Sequence, residues 1–230
     1  MRRTLGLVLA AVAGLALTGC AVVTGPTDSE DRKVGDIRAV ELSTSGDLVV
    51  VHGDRPALTV TAAKPALPRL TSEVTDGRLV LSSNGAFVTG SIAYLLETDH
   101  LDDVVIKGSG DVTGSRVTAD ELSILVQGSG NVKLDGLDAQ RVSVRIEGSG
   151  DVTLSGTADE LDVRVAGSGN VHTFDLEVAA AKAEVAGSGD IQTSVTGTLD
   201  ARIAGSGNVI YRGDPRISSQ VLGSGDVRQD

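Results

Sequence analysis

A chain of 230 residues with a formal charge of −11, one cysteine, no tryptophan and 2% aromatics does not fit a nucleic-acid binder, a disulfide-stapled domain or a globule with an aromatic core. An acidic surface repels a phosphate backbone, and a single cysteine closes no intramolecular bridge. Val, Ile, Leu and Ala suit a thin interior, and 29 glycines point to many tight corners.

Residues 1–19 read as a targeting segment. Arg2 and Arg3 open it, and Leu5–Leu17 is an apolar run too short for a comfortable membrane span. It ends in Leu17-Thr18-Gly19-Cys20, which resembles the lipobox of bacterial lipoproteins. The resemblance implies cleavage before Cys20 and attachment of lipid, palmitate included, to that residue. The plainer alternative is an ordinary secretory signal followed by a chance cysteine. Loss of Arg2 and Arg3 would leave the remainder more acidic, so contact with a membrane is expected through lipid rather than charge. Residues 20–35 form the lipidated cysteine and a polar stretch with Gly25, Pro26, Asp28, Glu30 and Asp31, expected to be a flexible tether.

The folded domain is expected over 36–230, with broader opening coils at 36–101 and regular coils at 102–230. In the opening part, Arg38, Val40 and Leu42 precede Thr44-Ser45-Gly46-Asp47-Leu48, a loose version of the later repeat. Ala57–Ala62, Arg78–Ser82 and Ile92–Leu96 are strand candidates, interrupted by Pro65 and Pro68. This section is expected to cover one end of a stack.

From Gly108 onward the phrase Gly-Ser-Gly-Asp/Asn-Val/Ile recurs seven times, beginning at Gly108, Gly128, Gly148, Gly167, Gly187, Gly205 and Gly223. Repetition at this length is the mark of a solenoid. Two residues before each phrase stand Ile106, Val126, Ile146, Val165, Val185, Ile203 and Val221. Apolar residues also favour the positions four and six before, with polar residues between. That is strand periodicity with one face inward. The fold class expected is all-β: a single-stranded right-handed parallel β-helix with about 18–20 residues per coil. Stacked coils lie about 4.8 Å apart, and the glycines are expected to supply φ > 0 at each corner.

The fourth letter of the phrase alternates as Asp111, Asn131, Asp151, Asn170, Asp190, Asn208 and Asp226. With one phrase per coil these stack directly. Alternation then separates carboxylates that would otherwise repel, and each Asn amide can donate to a neighbouring carboxylate. The rival is a coil twice as long, with Asp111, Asp151, Asp190 and Asp226 in one column that would call for calcium. The shorter coil matches the ladder positions at every step, so a structural corner ladder is expected, with no metal.

The whole chain after about Val34 resembles the head domain of the putative autotransporter adhesins, the head GIN domain. Ile37-Arg38-Ala39-Val40 running into Ser45-Gly46-Asp47-Leu48 carries the likeness. So do Val51-His52-Gly53-Asp54, Thr75-Asp76-Gly77-Arg78-Leu79, the serial Gly-Ser-Gly phrases and the closing Gly207–Pro215. The resemblance implies a right-handed β-helix on the exported side of the envelope, but no ligand and no reaction.

Catalytic chemistry is not apparent. His52, His100 and His172 lack partners at metal-ligand spacing. The serines sit in tandem corners rather than in a nucleophile elbow. The function expected is a non-catalytic, lipid-anchored adhesion or surface-scaffold module with no cofactor. It would be held outside a bacterial membrane by lipid on Cys20 and face envelope or extracellular polymers or proteins, not nucleic acid. The alternative is a carbohydrate-binding or carbohydrate-active β-helix, disfavoured because Phe87, Tyr94, Phe174 and Tyr211 are the only aromatics.

Overall fold

The structure, a computed structural model, describes residues 25–84 and 90–230; the leader, Cys20 with its lipobox, and Phe87 lie outside the described residues. The opening section holds β1 (Thr27–Arg32), β2 (Ala39–Leu42), β3 (Asp47–His52), β4 (Ala57–Ala63), β5 (Leu70–Thr75), β6 (Arg78–Ser83) and β7 (Ala93–Thr98). The regular section holds β8 (Asp103–Ile106), β9 (Val112–Ser115), β10 (Thr118–Val126), β11 (Val132–Ile146), β12 (Val152–Val165), β13 (Val171–Val185) and β14 (Ile191–Ile203). It closes with β15 (Val209–Arg212), β16 (Arg216–Val221) and β17 (Val227–Gln229). Among the described residues no helix is long and apolar enough to cross a membrane.

The regular section is a β-solenoid of parallel stacked coils, one phrase per coil. Val126 pairs with Ile146, Ile146 with Val165, Val165 with Val185, Val185 with Ile203 and Ile203 with Val221. Each of the first five of these is at most 1% exposed. A column of β-branched side chains sheathed above and below by its own kind is stabilised by burial, about 1.5–3 kcal/mol per fully buried aliphatic side chain. Burial alternates along each strand and slips where the chain bends, at consecutive outward residues such as Asp159-Glu160 and Ala166-Gly167-Ser168. Each coil thus has three bends. Differences in coil length are absorbed at two of them, where the register shifts between Leu134 and Leu137, between Thr153 and Ser155 and between Thr173 and Glu177, and again between Val178 and Ala180. The Gly-Ser-Gly corner stays constant.

The opening section departs from chain order. β2 lies between β6 and β8, and β3 lies between β7 and β9. The coil made by β6 and β7 therefore sits outside the coil made by β2 and β3, although it comes later in the chain. Beyond it the pairing turns antiparallel: β5 on β6, β4 on β7, and β1 on β4. Leu58, Val60, Leu67 and Leu70 are buried there and close the core.

The expected tether over 20–35 needs correction from Thr27 onward. Residues 27–32 are a strand paired along β4, from Thr27 against Ala63 to Arg32 against Leu58. Arg32 fixes it by donating to Leu70 O (2.7 Å), Ser72 Oγ (2.9 Å) and Leu67 O (3.0 Å). A polar composition hid this strand because its attachment is through backbone groups, the Arg32 guanidinium and the bonds of Ser29 to Thr61 and of Asp31 to Thr59, none of which needs apolar side chains.

Candidate functional site

The repeated corner is the first candidate. Of its glycines only Gly223 has a positive φ, so the expected left-handed backbone is not why glycine is required. The reason is close approach. A Cβ on Gly128, Gly148 or Gly167 would collide with the carbonyl oxygen of Gly108, Gly128 or Gly148 in the coil before. Backbone N–H groups of the corner serines use those same oxygens, as Ser129 does on Gly108 O (3.1 Å).

Asp111, Asn131, Asp151, Asn170, Asp190, Asn208 and Asp226 form a directional relay beside this corner. Asn131 donates to Asp111 Oδ1 from its backbone N–H (2.7 Å) and its side-chain amide (3.0 Å). The backbone N–H of Asp151 in turn donates to Asn131 Oδ1 (2.9 Å). The pattern repeats to Asp226 at 2.7–3.1 Å. Each Asn amide bonds the carboxylate before it and not the one after, because its own Oδ1 is taken by the next N–H. From Asp111 to Asp226 each Asp is separated from the next by an Asn. Asp47, whose Oδ1 accepts the Asp111 N–H (3.0 Å), is the one acidic neighbour stacked without an Asn between. Among the described residues no three His, Cys, Asp or Glu side chains converge to hold a metal ion. The corner's polar atoms serve the neighbouring coil.

The histidines do not come together. His52 ends β3 in solvent, His100 lies 3.7 Å from Asp99, and His172 Nδ1 pairs with Gln192 Oε1 (3.0 Å).

The wall leading into the corner carries a charge mosaic. Arg141 bridges Glu121 (2.6 Å) and Glu160 (2.9 Å) on the coils to either side. Glu184 receives Lys182 (3.0 Å), Arg202 (3.2 Å) and Arg164 (3.3 Å). The Lys182 hydrogen bond leads in holding the Glu184 carboxyl below its ordinary pKa, with partial burial opposing and Arg202 and Arg164 assisting. These charges are largely matched to one another across coils.

The remaining wall is short and holds the second candidate. Successive coils place Thr118, Asp138, Thr157 and Glu177 at one margin, with Ala119, Ala139, Ala158 and Val178 beside them. Asp120, Gln140, Asp159 and Ala179 follow at the other margin. Two depressions of about 700 and 470 Å³ share Thr118, Ala119 and Asp120, and together form one side groove. Alanine at an inward position lets this wall sink toward the axis, and Ala119, Ala139 and Ala158 just reach the surface as its floor. Each coil contributes one carboxylate, on alternate sides: Asp120, Asp138, Asp159, Glu177. Gln140 donates to Asp120 (3.2 Å), and among the described residues no Lys or Arg lines this half. The other half adds Arg38, His100 and Arg141.

Sequence reasoning did not find the groove. Its signal was an alanine nine residues before three successive phrases, with an acid on one side, easily taken for a minor strand position. None of the described aromatics lines it; Tyr94 is buried, and Phe174 is covered by the Arg212 guanidinium at 3.9 Å.

Comparison with known proteins then places the chain. Residues 36–215 match the family described as putative auto-transporter adhesin, head GIN domain. The crystal structure of a putative adhesin from Bacteroides fragilis is 27% identical, with a TM-score of 0.85 over 90% of this chain and 98% of that one. A putative lipid binding protein from Parabacteroides distasonis is 25% identical, with a TM-score of 0.75 over 90% and 97%. A putative adhesin from Parabacteroides merdae, at 22% identity and a TM-score of 0.71 over 90% and 97%, shares the fold. No curated protein matches the chain.

Proposed function

Because the chain belongs to the putative auto-transporter adhesin head GIN domain family, we propose that it is a non-catalytic adhesion or scaffold module. It is exported, held at the outer side of a bacterial membrane by lipid on Cys20, and makes contact through its side groove. The observation that carries this reading is the contrast between two walls. On the flat wall, arginines and lysines neutralise the acids of adjacent coils. The groove, by contrast, offers an alanine floor and carboxylates, with no Lys or Arg among the described residues lining that half. Such a trough fits an extended envelope polymer or protein segment that presents positive charge or hydrogen-bond donors. The putative adhesin from Bacteroides fragilis, similar over nearly its whole length, supports the adhesion class.

The test compares Asp138→Lys with Asp159→Lys in the groove against Asp162→Lys on the flat wall. Binding of each full-length variant to isolated cell envelopes is measured beside its urea midpoint. The groove variant is expected to lose binding about tenfold, equivalent to about 1.4 kcal/mol, at an unchanged midpoint. Equal binding by both variants rejects the groove. Anchoring is tested separately: Cys20→Ser is expected to leave the membrane fraction or stall in processing. A variant that fractionates and migrates like the wild type refutes the lipid.

A further inference from the structure

The inward ladders end in the open. Ile217 and Val221 on β16 occupy positions that are at most 2% exposed in the β11, β12 and β14 coils, yet they are 43% and 41% exposed, and neighbouring Leu222 is 64% exposed. Among the described residues β16 pairs only with β14, and β17 only with β15, so their outer backbone groups face away from the stack. Open strand edges with apolar side chains invite another chain unless they are blunted, and solenoids ordinarily carry a polar terminal cap.

The opposite end is blunted. Its two outer strands, β1 on one wall and β5 on the other, both join the stack antiparallel, and β1 is Thr-Asp-Ser-Glu-Asp-Arg, with Asp28, Glu30 and Asp31 exposed. Head-to-tail stacking along the axis would set β17 against β1 and β16 against β5, the two strands that end these walls in antiparallel pairing, so no parallel coil is open there. That disfavours a filament and leaves an isologous contact, the last coil against its own copy.

The last coil is suited to pair with itself. In an antiparallel pair, directly opposed residues must face the same side of the sheet. Centring β16 on Ser219 meets this condition at every position. Ser219 faces Ser219, Ser218 faces Gln220, Ile217 faces Val221, and the Arg216 stem lies against Leu222. Apolar meets apolar and polar meets polar, with no like charges opposed. Residues 213–230 contain Asp214, Asp226 and Asp230 against Arg216 and Arg228, and Arg212 bonds Asp230 at 2.8 Å. The end is close to neutral in a chain of charge −11, so two copies can approach it without the repulsion that the walls would impose.

We propose that two copies of this chain associate end to end through their last coils, β16 against β16, about a two-fold axis at Ser219. The contact covers Ile217, Val221 and Leu222 and supplies partners to the open β16 edge. It leaves the side groove and the opening end of each copy facing outward.

The full chain, purified in density-matched detergent, is examined by sedimentation equilibrium and by mild oxidation. Wild type is expected at twice the chain mass. Val221→Lys is expected at the single-chain mass, folded by circular dichroism and with a melting temperature that no longer depends on protein concentration, since that side chain is already partly exposed in one copy. Ser219→Cys is expected to form a disulfide-linked dimer at least tenfold faster than Ser224→Cys, which lies at the corner of the same coil. Cys20 is common to both variants and sets the background. A single-chain wild type, a Val221→Lys dimer, a ladder of higher oligomers, or equal cross-linking at 219 and 224 overturns the proposal.

Discussion

At its opening end the solenoid turns antiparallel and closes its core under Leu58, Val60 and Leu70, whereas at its closing end Ile217 and Val221 remain about two-fifths exposed. Both ends use the same inward alternation of side chains. They differ in whether another segment returns to cover it. A ladder position therefore has no fixed worth: Val165 and Val221 occupy equivalent sites, but only Val165 has a coil on both sides.

The largest effect should come from exploiting that difference. Val165→Asp places a charge in a column that is fully buried, and is expected to cost at least about 3 kcal/mol in urea unfolding. Val221→Asp should cost the fold less than about 1 kcal/mol. Equal losses would mean that a single copy covers Val221 as thoroughly as Val165.

The next effect probes the spacing of coils. Gly150→Ala would press a Cβ onto Gly130 O and is expected to cost about 2–3 kcal/mol. Gly35→Ala, with no neighbour within 4 Å, should be close to neutral in the same melts. A tolerated Gly150→Ala would show that the corners can separate, contrary to the backbone bonds that join them.

A smaller effect separates charge from packing in the corner relay. Asn131→Asp together with Asn170→Asp keeps an oxygen for the next N–H but removes the amide donors and lines up carboxylates. A loss of about 1 kcal/mol is expected at neutral pH. Crowded carboxylates have folded pKa values raised by their neighbours, so this loss is present at neutral pH and shrinks as pH falls and they protonate. A deficit that persists unchanged in acid would assign the effect to lost amide bonds alone.

The most local change is at the capped end. Arg32→Ala removes the bonds to Leu67, Leu70 and Ser72, each worth about 1 kcal/mol. Backbone amides of β1 should exchange faster with solvent while those of β12 keep their protection. Faster exchange throughout would mean that the cap holds the whole stack rather than its own end.

How far the sequence could be read follows from where the information lay. The burial of Ile106 through Ile203, the single phrase per coil and the placement of Asp111 next to Asn131 were legible, because a repeat of side chains along the chain is also a repeat across coils. The role of the corner glycines was not, since a string shows that glycine recurs but not whether its torsion or its neighbour demands it. The groove was equally hidden: Ala119, Ala139 and Ala158 acquire meaning only when three coils put them side by side.

The sequence by itself determined the inward alternation, the length of the coil and the stacking register, which are local periodic properties repeated at every step. Tertiary structure decided the rest: the insertion of the β2–β3 coil between β6–β7 and β8–β9, the docking of polar β1, the sunken alanine wall and the uncovered last coil. Those depend on backbone pairing between segments distant in the chain, and backbone hydrogen bonds are the same for every residue, so they leave no mark in the order of side chains.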